Sequence, residues 1–379
     1  MAKKLNVGIV GLGYIGKTHA QAYQSIPFCF PSTLVSADLK AVWRTSLGRD
    51  DAFIQECGFD IKTTDLDEFI NAPLDLVDIC TPTGMHTAYV LAAAKAGKPI
   101  YCEKPLGKDL ADARKMKEAA DQAGILTRVA FVMRFYPAIR HMKSILDSGE
   151  LGDVLNFRTH LFHGSYLNPL RPMSWRLRFE QSGGGAFSDL GAHILDLVQY
   201  LLGDVHSLRA EMHTFIKERP SKAGSTHVET VDVDDWASCS LQLRNGVVGL
   251  VEAARTAVGV PESTTFQVFC QHGSLIFNGH SPELLTIHDI RKNTTLQSPV
   301  VDQSREAERE ISKLWPSGKM SLGAFLNAHL ACQYDFMQNI IDGQPSSPDF
   351  SDALKVQEML EAAYLSAAQG GRQILLPLD

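Results

Sequence analysis

A chain of 379 residues, 45% hydrophobic and 21% charged, is too long for one ordinary core and has a globular composition, so two domains are expected. Its net charge of −7, with no basic run longer than Lys3-Lys4, argues against a nucleic-acid partner, and no stretch approaches the roughly 20 apolar residues of a spanning helix. Seven scattered cysteines without a CxxC pair fit reduced thiols in the cytoplasm better than a disulfide framework or a zinc site.

The first third alternates short apolar runs with amphipathic stretches. Leu5–Val10 reads as a strand rather than a secretion signal. It is followed by a helix over Ile15–Tyr23, a loop over Ser25–Asp38 and a strand over Leu39–Val42. Asp65 suits the N-cap of a short helix carrying Leu66, Phe69 and Ile70. Next come a buried strand Leu74–Cys80, a helix Met85–Ala96, a strand Pro99–Cys102, a helix Asp109–Ala123 closed by Gly124, and a strand Leu126–Phe131. This alternation predicts an α/β domain, a doubly wound parallel sheet, over residues 1–128. Beyond it the pattern becomes one of longer alternating strands: Val154–Phe162, Ala237–Leu243, Val247–Ala253 and Thr265–Cys270. A glycine-bounded helix, Phe187–Leu202, interrupts them, and two late helices, Leu322–Asp342 and Ser351–Ala368, flank the Gln344–Pro348 linker. Residues 129–379 are therefore expected to form an α+β domain with a large, mostly antiparallel open sheet.

Gly11-Leu12-Gly13-Tyr14-Ile15-Gly16 lies between the first strand and first helix. Gly11 permits the tight turn, Gly13 lets backbone N–H groups reach a pyrophosphate, and Gly16 allows helix and strand to pack closely. In this context the motif predicts a dinucleotide cofactor. The second strand ends Ala41-Val42-Trp43-Arg44-Thr45-Ser46 without the acid that would grip an adenosine ribose. Arg44, or Arg49, can pair with a 2′-phosphate and Thr45 and Ser46 can hydrogen-bond it, which leans the reading of NAD(P) toward NADP.

Three further segments complete a pattern: Thr81-Pro82-Thr83-Gly84-Met85-His86, Glu103-Lys104-Pro105, and Gly183-Gly184-Gly185-Ala186-Phe187-Ser188-Asp189-Leu190-Gly191-Ala192-His193. With the glycine loop, and over essentially the whole chain, they resemble the glucose–fructose oxidoreductase / inositol dehydrogenase (Gfo/Idh/MocA) family. Within it, the aromatic Pro27–Pro31 segment looks most like levoglucosan and related anhydrosugar or glycoside dehydrogenases. The resemblance implies a catalytic group of Lys104, Asp189 and His193, and a cis Lys104-Pro105 bond. It also implies a cofactor cleft lined by Thr81, Pro82, His86, Glu103 and Lys104. It further implies a homodimer or homotetramer assembled through the open face of the second sheet. Thr83 departs from the asparagine that often follows the proline, which puts one cofactor hydrogen bond in question.

The residue types suit the chemistry independently. Hydride leaves a carbinol carbon only as the hydroxyl proton is withdrawn, so a base near neutrality and a stabiliser of the developing alkoxide are needed. His193 has the pKa of such a base. Asp189, four residues earlier, shares its helix face and either residue can hold the substrate hydroxyl. Lys104, at the carboxyl end of a parallel strand, can stabilise the alkoxide. Asp196, on the same helix, reads as structural rather than as part of a metal site. Arg134, His163, Trp175 and Arg176 are candidates to contact a sugar or polyol. His160 and His163, three apart on a strand, would face opposite sides. The glycines of 183–185 read as a hinge or as room for the cofactor. Rival readings are a ketosugar or sugar-nucleotide reductase using NADPH, and a sensor of the same fold, which has no need of the Lys104/Asp189/His193 set.

Overall fold

The computed structural model describes residues 3–31, 33, 35–48, 51–259, 263–299 and 313–378. The chain divides into two compact units, one of Met1–Gly107, Ala111–Phe135 and Lys313–Leu354, the other of Lys108–Leu110, Tyr136–Ser312 and Lys355–Asp379. Residues 313–354, grouped with the second domain in the sequence reading, thus belong with the first unit.

The first unit carries strands β1 (Lys3–Val10), β2 (Val35–Trp43), β3 (Ile61–Thr63), β4 (Leu76–Ile79), β5 (Ile100–Cys102) and β6 (Thr127–Val129). All pair in parallel, in the order β3-β2-β1-β4-β5-β6. Val7, Ile9, Val10, Leu76, Val77, Ile79 and Ile100 are fully buried, as expected of a sheet covered on both faces. Between the strands run helices α1 (Tyr14–Cys29), α2 (Asp51–Cys57), α3 (Leu66–Ile70), α4 (His86–Lys95) and α5 (Leu110–Ala123). Asp65 caps α3 by accepting the N–H groups of Asp67 and Glu68. The order reverses between β1 and β4, and the crevice at such a reversal, beyond the carboxyl ends, is where open α/β sheets bind ligands.

Two local readings are corrected. Helix α1 does not stop at Tyr23 but continues through Pro27 to Cys29, so the Pro27–Pro31 segment is largely helical, and β2 begins at Val35. Phe30, just past the helix, stacks on Tyr334 at 4.3 Å. That ring lies on a late helix of this unit (Ala324–Asp342), and such tertiary packing overrides the local stop signal.

The second unit contains α6 (Pro137–Ser148), β7 (Val154–Phe162), α7 (Phe179–Ser182), α8 (Ala192–Leu202), β8 (Val205–His213), β9 (Glu218–Pro220) and β10 (Val228–Thr230). They are followed by β11 (Trp236–Leu243), β12 (Val248–Ala254), β13 (Ser263–Cys270), β14 (Gly273–Asn278), β15 (Leu284–Asp289) and β16 (Thr294–Pro299). The late helices are α9 (Ala324–Asp342), in the first unit, and α10 (Phe350–Ala368); β17 (Ile374–Leu375) ends the chain's regular structure. Among the described residues the large sheet has nine strands in the order β16-β15-β14-β13-β7-β12-β11-β8-β17. Every pair is antiparallel except β7 with β12. Burial alternates along β13, so one face is packed and the other open; Leu155, Val248 and Leu250 lie exposed on β7 and β12.

Candidate active site

In the first unit, the glycine loop turns from β1 into α1. Gly11 has φ +91°, and a Cβ on Gly16 would lie 2.1 Å from the Gly11 carbonyl oxygen. Around Gly13, by contrast, nothing stands within 4 Å of where a Cβ would be. Gly13 caps α1 without a side chain, and no acidic residue occupies the first turn, where Tyr14 and Ile15 begin the helix. A helix N-terminus with free N–H groups and open space before it suits a phosphate. The residues present therefore fit a dinucleotide. The tip of β2 carries half-buried Arg44 and exposed Thr45 and Ser46; Arg49 lies outside the described residues.

Beyond β4, Thr81 is buried and Pro82 leads into a short 3₁₀ turn over Thr83–Met85, with Thr83 also buried. His86 is 1% exposed, with Nδ1 3.0 Å from the Leu106 carbonyl oxygen and Nε2 3.0 Å from that of Thr81. Burial holds its pKa below the ordinary value, although the two carbonyls pull the other way. The ring is packed between the loop after β4 and the loop after β5, and while neutral it donates to one of the two carbonyls. Beyond β5, the Lys104-Pro105 bond is cis, Lys104 is half-buried, and its backbone N–H donates to Glu103 Oε2 at 3.1 Å. Glu103 is buried and its Oε1 lies 3.2 Å from His19 Nε2, so it faces the protein interior. Arg134 is buried, with Nη1 3.1 Å from Ser347 Oγ and 3.3 Å from Asp352 Oδ2. These contacts tie it to the loop before α10.

In the second unit, the segment expected as one helix from Phe187 opens as a π-helical turn over Phe187–Gly191 before becoming α8. Asp189 lies in that turn and His193 at the start of α8; both are half-buried. Single π turns within helices often mark functional sites. The three glycines before it are packed tightly. A Cβ would lie 1.9 Å from the Lys108 carbonyl oxygen at Gly183, 2.0 Å from Tyr364 Oη at Gly184 and 2.0 Å from the Asp234 carbonyl oxygen at Gly185. Asp234 accepts the N–H groups of Gly185 (2.8 Å) and Phe187 (2.7 Å) and the Tyr364 hydroxyl (2.7 Å), fixing where the turn begins. Glycine is thus required here for close packing.

Arg255, immediately after β12, is 1% exposed, and its Nη2 lies 3.2 Å from Asp189 Oδ2. Its Nη1 donates to the Arg176 carbonyl oxygen at 3.3 Å, and its guanidinium lies 4.8 Å from the centre of the Tyr166 ring. Arg176 in turn stacks on Trp175 at 4.3 Å. Asp189, Arg255, Trp175 and Arg176 are thereby linked in one local group. His163 falls past the end of β7, so strand alternation does not govern it; its Nδ1 is 3.0 Å from Ser165 Oγ. His160 stays on the strand, 3.0 Å from Thr265 Oγ1 and stacked on Phe162 at 4.3 Å. Asp196 is fully buried. Sequence reasoning missed His19 and Arg255. A histidine three residues after the last glycine of the loop, and an arginine ending an apolar strand, were the available signals.

Residues 5–131 match the family described as an oxidoreductase family with an NAD-binding Rossmann fold, and residues 139–276 match the Gfo/Idh/MocA C-terminal domain. The chain belongs to the Gfo/Idh/MocA oxidoreductase family. Levoglucosan dehydrogenase of Pseudarthrobacter phenanthrenivorans is 30% identical over 379 residues, covering 97% of each chain. Myo-inositol 2-dehydrogenase of Thermotoga maritima is 29% identical over 256 residues, 67% of this chain and 70% of that one. Among solved Gfo/Idh/MocA structures, levoglucosan dehydrogenase in complex with NADH and levoglucosan superposes with a TM-score of 0.91 at 30% identity, covering 99% of this chain and 100% of that one.

Proposed function

We propose that this protein exchanges a hydride between a nicotinamide cofactor and a secondary alcohol or ketone of a sugar, anhydrosugar, glycoside or cyclitol. The observation that carries the reading is the Asp189 carboxylate, held by buried Arg255 in a π turn that leads directly to His193. The similarity to levoglucosan and inositol dehydrogenases supports the substrate class.

When bound, the cofactor supplies the acceptor for the two electrons and hydrogen of the broken C–H bond. His193 takes the proton of the reacting hydroxyl in oxidation and returns it in reduction. Asp189, facing a guanidinium, offers acceptor oxygens that hold the hydroxyl and orient the imidazole. Lys104 places an ammonium to stabilise the oxygen as it gains negative charge. Trp175 and Arg176, stacked on each other, present an aromatic face and a donor for the sugar ring.

The cofactor reading is refined by the tip of β2, where Arg44, Thr45 and Ser46 favour a 2′-phosphate, hence NADP over NAD. All seven cysteines are buried free thiols, supporting the cytoplasm, and no helix among the described residues is long and apolar enough to cross a membrane. The apolar residues on the open face of the large sheet support assembly as a homodimer or homotetramer.

The test is formation of reduced nicotinamide, followed by absorbance, across a panel of sugars and polyols. Turnover of at least one member is expected. His193→Ala and Lys104→Ala should each lower kcat about 10²- to 10⁴-fold while cofactor affinity stays near that of the parent. No turnover across the panel, or collapse of cofactor binding in both variants, overturns the reading.

A further inference from the structure

The first unit buries a polar cluster that the proposed chemistry does not use directly. His19 on α1 is fully buried, with Nδ1 3.1 and 3.0 Å from the two carboxylate oxygens of Asp78 on β4. Its Nε2 lies 3.2 Å from Glu103 Oε1 and 3.2 Å from His329 Nδ1 on α9. Cys80 completes the surround, its Sγ 3.1 Å from His19 Nδ1 and 3.2 Å from Asp78 Oδ1. One imidazole therefore faces a carboxylate at each ring nitrogen. Carboxylates only accept hydrogen bonds, and the imidazolium is the one form of the ring that offers a proton toward both; two anions against one buried ring favour that form. Charges then alternate from Asp78 through His19 and Glu103 to half-buried Lys104, whose ammonium offsets the one negative charge left over.

We infer that His19 is a positioning residue for Lys104: its imidazolium holds Glu103, whose second carboxylate oxygen accepts the Lys104 backbone N–H. This deepens the proposed function and rests on its assignment of Lys104. The imidazolium has two effects. It fixes the peptide from which the lysine side chain departs, and it takes up part of the Glu103 charge that would otherwise bear on the ammonium alone. Electrostatics agree with the geometry. Burial alone would lower the His19 pKa, but Asp78 and Cys80 raise it well above the ordinary value. Burial would raise that of Glu103, but the hydrogen bond and charge of His19 bring it down to about 2. Burial and the charge of His19 hold His329 at about 3, neutral and able to accept. The other titratable groups facing the cluster include Tyr23 on α1, Tyr101 and Cys102 on β5 and Cys332 on α9, all kept protonated by burial.

The first test needs no substitution. In protein labelled with ¹⁵N-histidine, one of the thirteen histidine rings should remain doubly protonated at pH 8. Neutral rings throughout would overturn the inference, and so would a divalent cation copurifying at one per chain, because the same ring nitrogen would then be a ligand. The second test is His19→Gln. Its kcat should fall about 100-fold with cofactor affinity near the parent's. Glu103, without its cation, should give the rate a new acid limb between pH 4 and about 6. In the double variant with Glu103→Gln that limb should disappear and the combined loss should be less than additive. An unchanged kcat and pH profile, or strictly additive losses, would sink the inference. Lys104→Ala, measured alongside, separates the two ideas: if it keeps full turnover, the catalytic assignment of Lys104 fails whatever His19 does.

Discussion

Arg255 Nη2 lies 3.2 Å from Asp189 Oδ2, with the arginine side chain 1% exposed and the carboxylate side chain 25% exposed. The pair sits at a boundary, one partner in the core and the other reaching solvent, which is how a substrate-facing acid can be held from behind. Removing the guanidinium leaves a carboxylate without its charge partner, and removing the carboxylate leaves a buried cation. Arg255→Met, which keeps an unbranched stem and removes the guanidinium, should cost roughly 2–4 kcal/mol of stability. It should also lower kcat/KM about 100-fold. Combining it with Asp189→Asn should recover part of the stability, because the double variant strands no charge. Urea unfolding of the two single variants and the double checks this, and simple addition of the two losses would show that the residues do not act as a pair.

The tip of β2 governs a second prediction. Arg44 stands where a dinucleotide domain selective for NAD commonly places an acid, and it is followed by two exposed hydroxyls, Thr45 and Ser46. A guanidinium can hold a 2′-phosphate with paired, charge-assisted hydrogen bonds, and has less to offer a ribose hydroxyl. Arg44→Ala should therefore raise the Kd for NADP about tenfold or more and change that for NAD by no more than about twofold. Equal losses for both cofactors would show that Arg44 does not read the phosphate.

Local signals placed most of the parallel sheet. Gly11, Gly13 and Gly16 stand where the turn, the open approach and the close packing require them, and Asp65 caps its helix. Long-range partners were not legible. Arg128 in β6 is a fully buried cation, its Nη2 2.7 Å from both Asp335 and Asn339 on α9, and this tie helps join a late helix to the first unit. A periodic pattern identifies such a helix but does not say which sheet it covers. The same limit applies to the site. Leu74–Cys80 reads as a buried strand from its apolar residues, which leaves aside Asp78, an acid that needs a partner there, and His19, the partner, comes from another element. Asp189 and His193 were found through the resemblance and their helical spacing, whereas Arg255, which no spacing connects to them, required coordinates.

Stability should fall on acidification from near neutrality. His329 is held at about 3 by burial and the charge of His19, and burial lowers His86. Below pH 6.5 the unfolded chain protonates these rings while the folded protein does not. Below about 4.5 the same applies to Glu103, held at about 2. In both windows the unfolded state binds more protons, so falling pH favours unfolding. His19 acts in the opposite sense. Its raised pKa contributes stability that is complete below 6.5 and is lost as pH rises through its folded value. Urea midpoints measured from pH 8 to 4 should decline below pH 6.5. His329→Gln, which keeps an acceptor for His19, should reduce the slope between pH 6.5 and 4 by up to one proton, about 1.4 kcal/mol per pH unit. An unchanged slope would mean that His329 takes up its proton in the folded state.

Two glycines with positive φ separate backbone strain from steric exclusion. Gly124, at φ +63°, closes α5 with nothing within 4 Å of a Cβ, whereas Gly184, at φ +153°, would place a Cβ 2.0 Å from Tyr364 Oη and 2.8 Å from Ser188 Cβ. Gly124→Ala therefore meets only the left-handed penalty, about 1–2 kcal/mol. Gly184→Ala must also displace a hydroxyl that donates to Asp234 and accepts from the Gly185 N–H. Because Asp234 fixes the start of the turn carrying Asp189, that displacement should reach the candidate active site. The expected result is a stability loss at least twice that of Gly124→Ala, accompanied by a fall in kcat that Gly124→Ala does not show. Tyr364→Phe removes the hydroxyl from the path of the new Cβ, so adding it to Gly184→Ala should recover part of the lost stability. If the double variant is no more stable than Gly184→Ala alone, the strained backbone rather than the clash dominates.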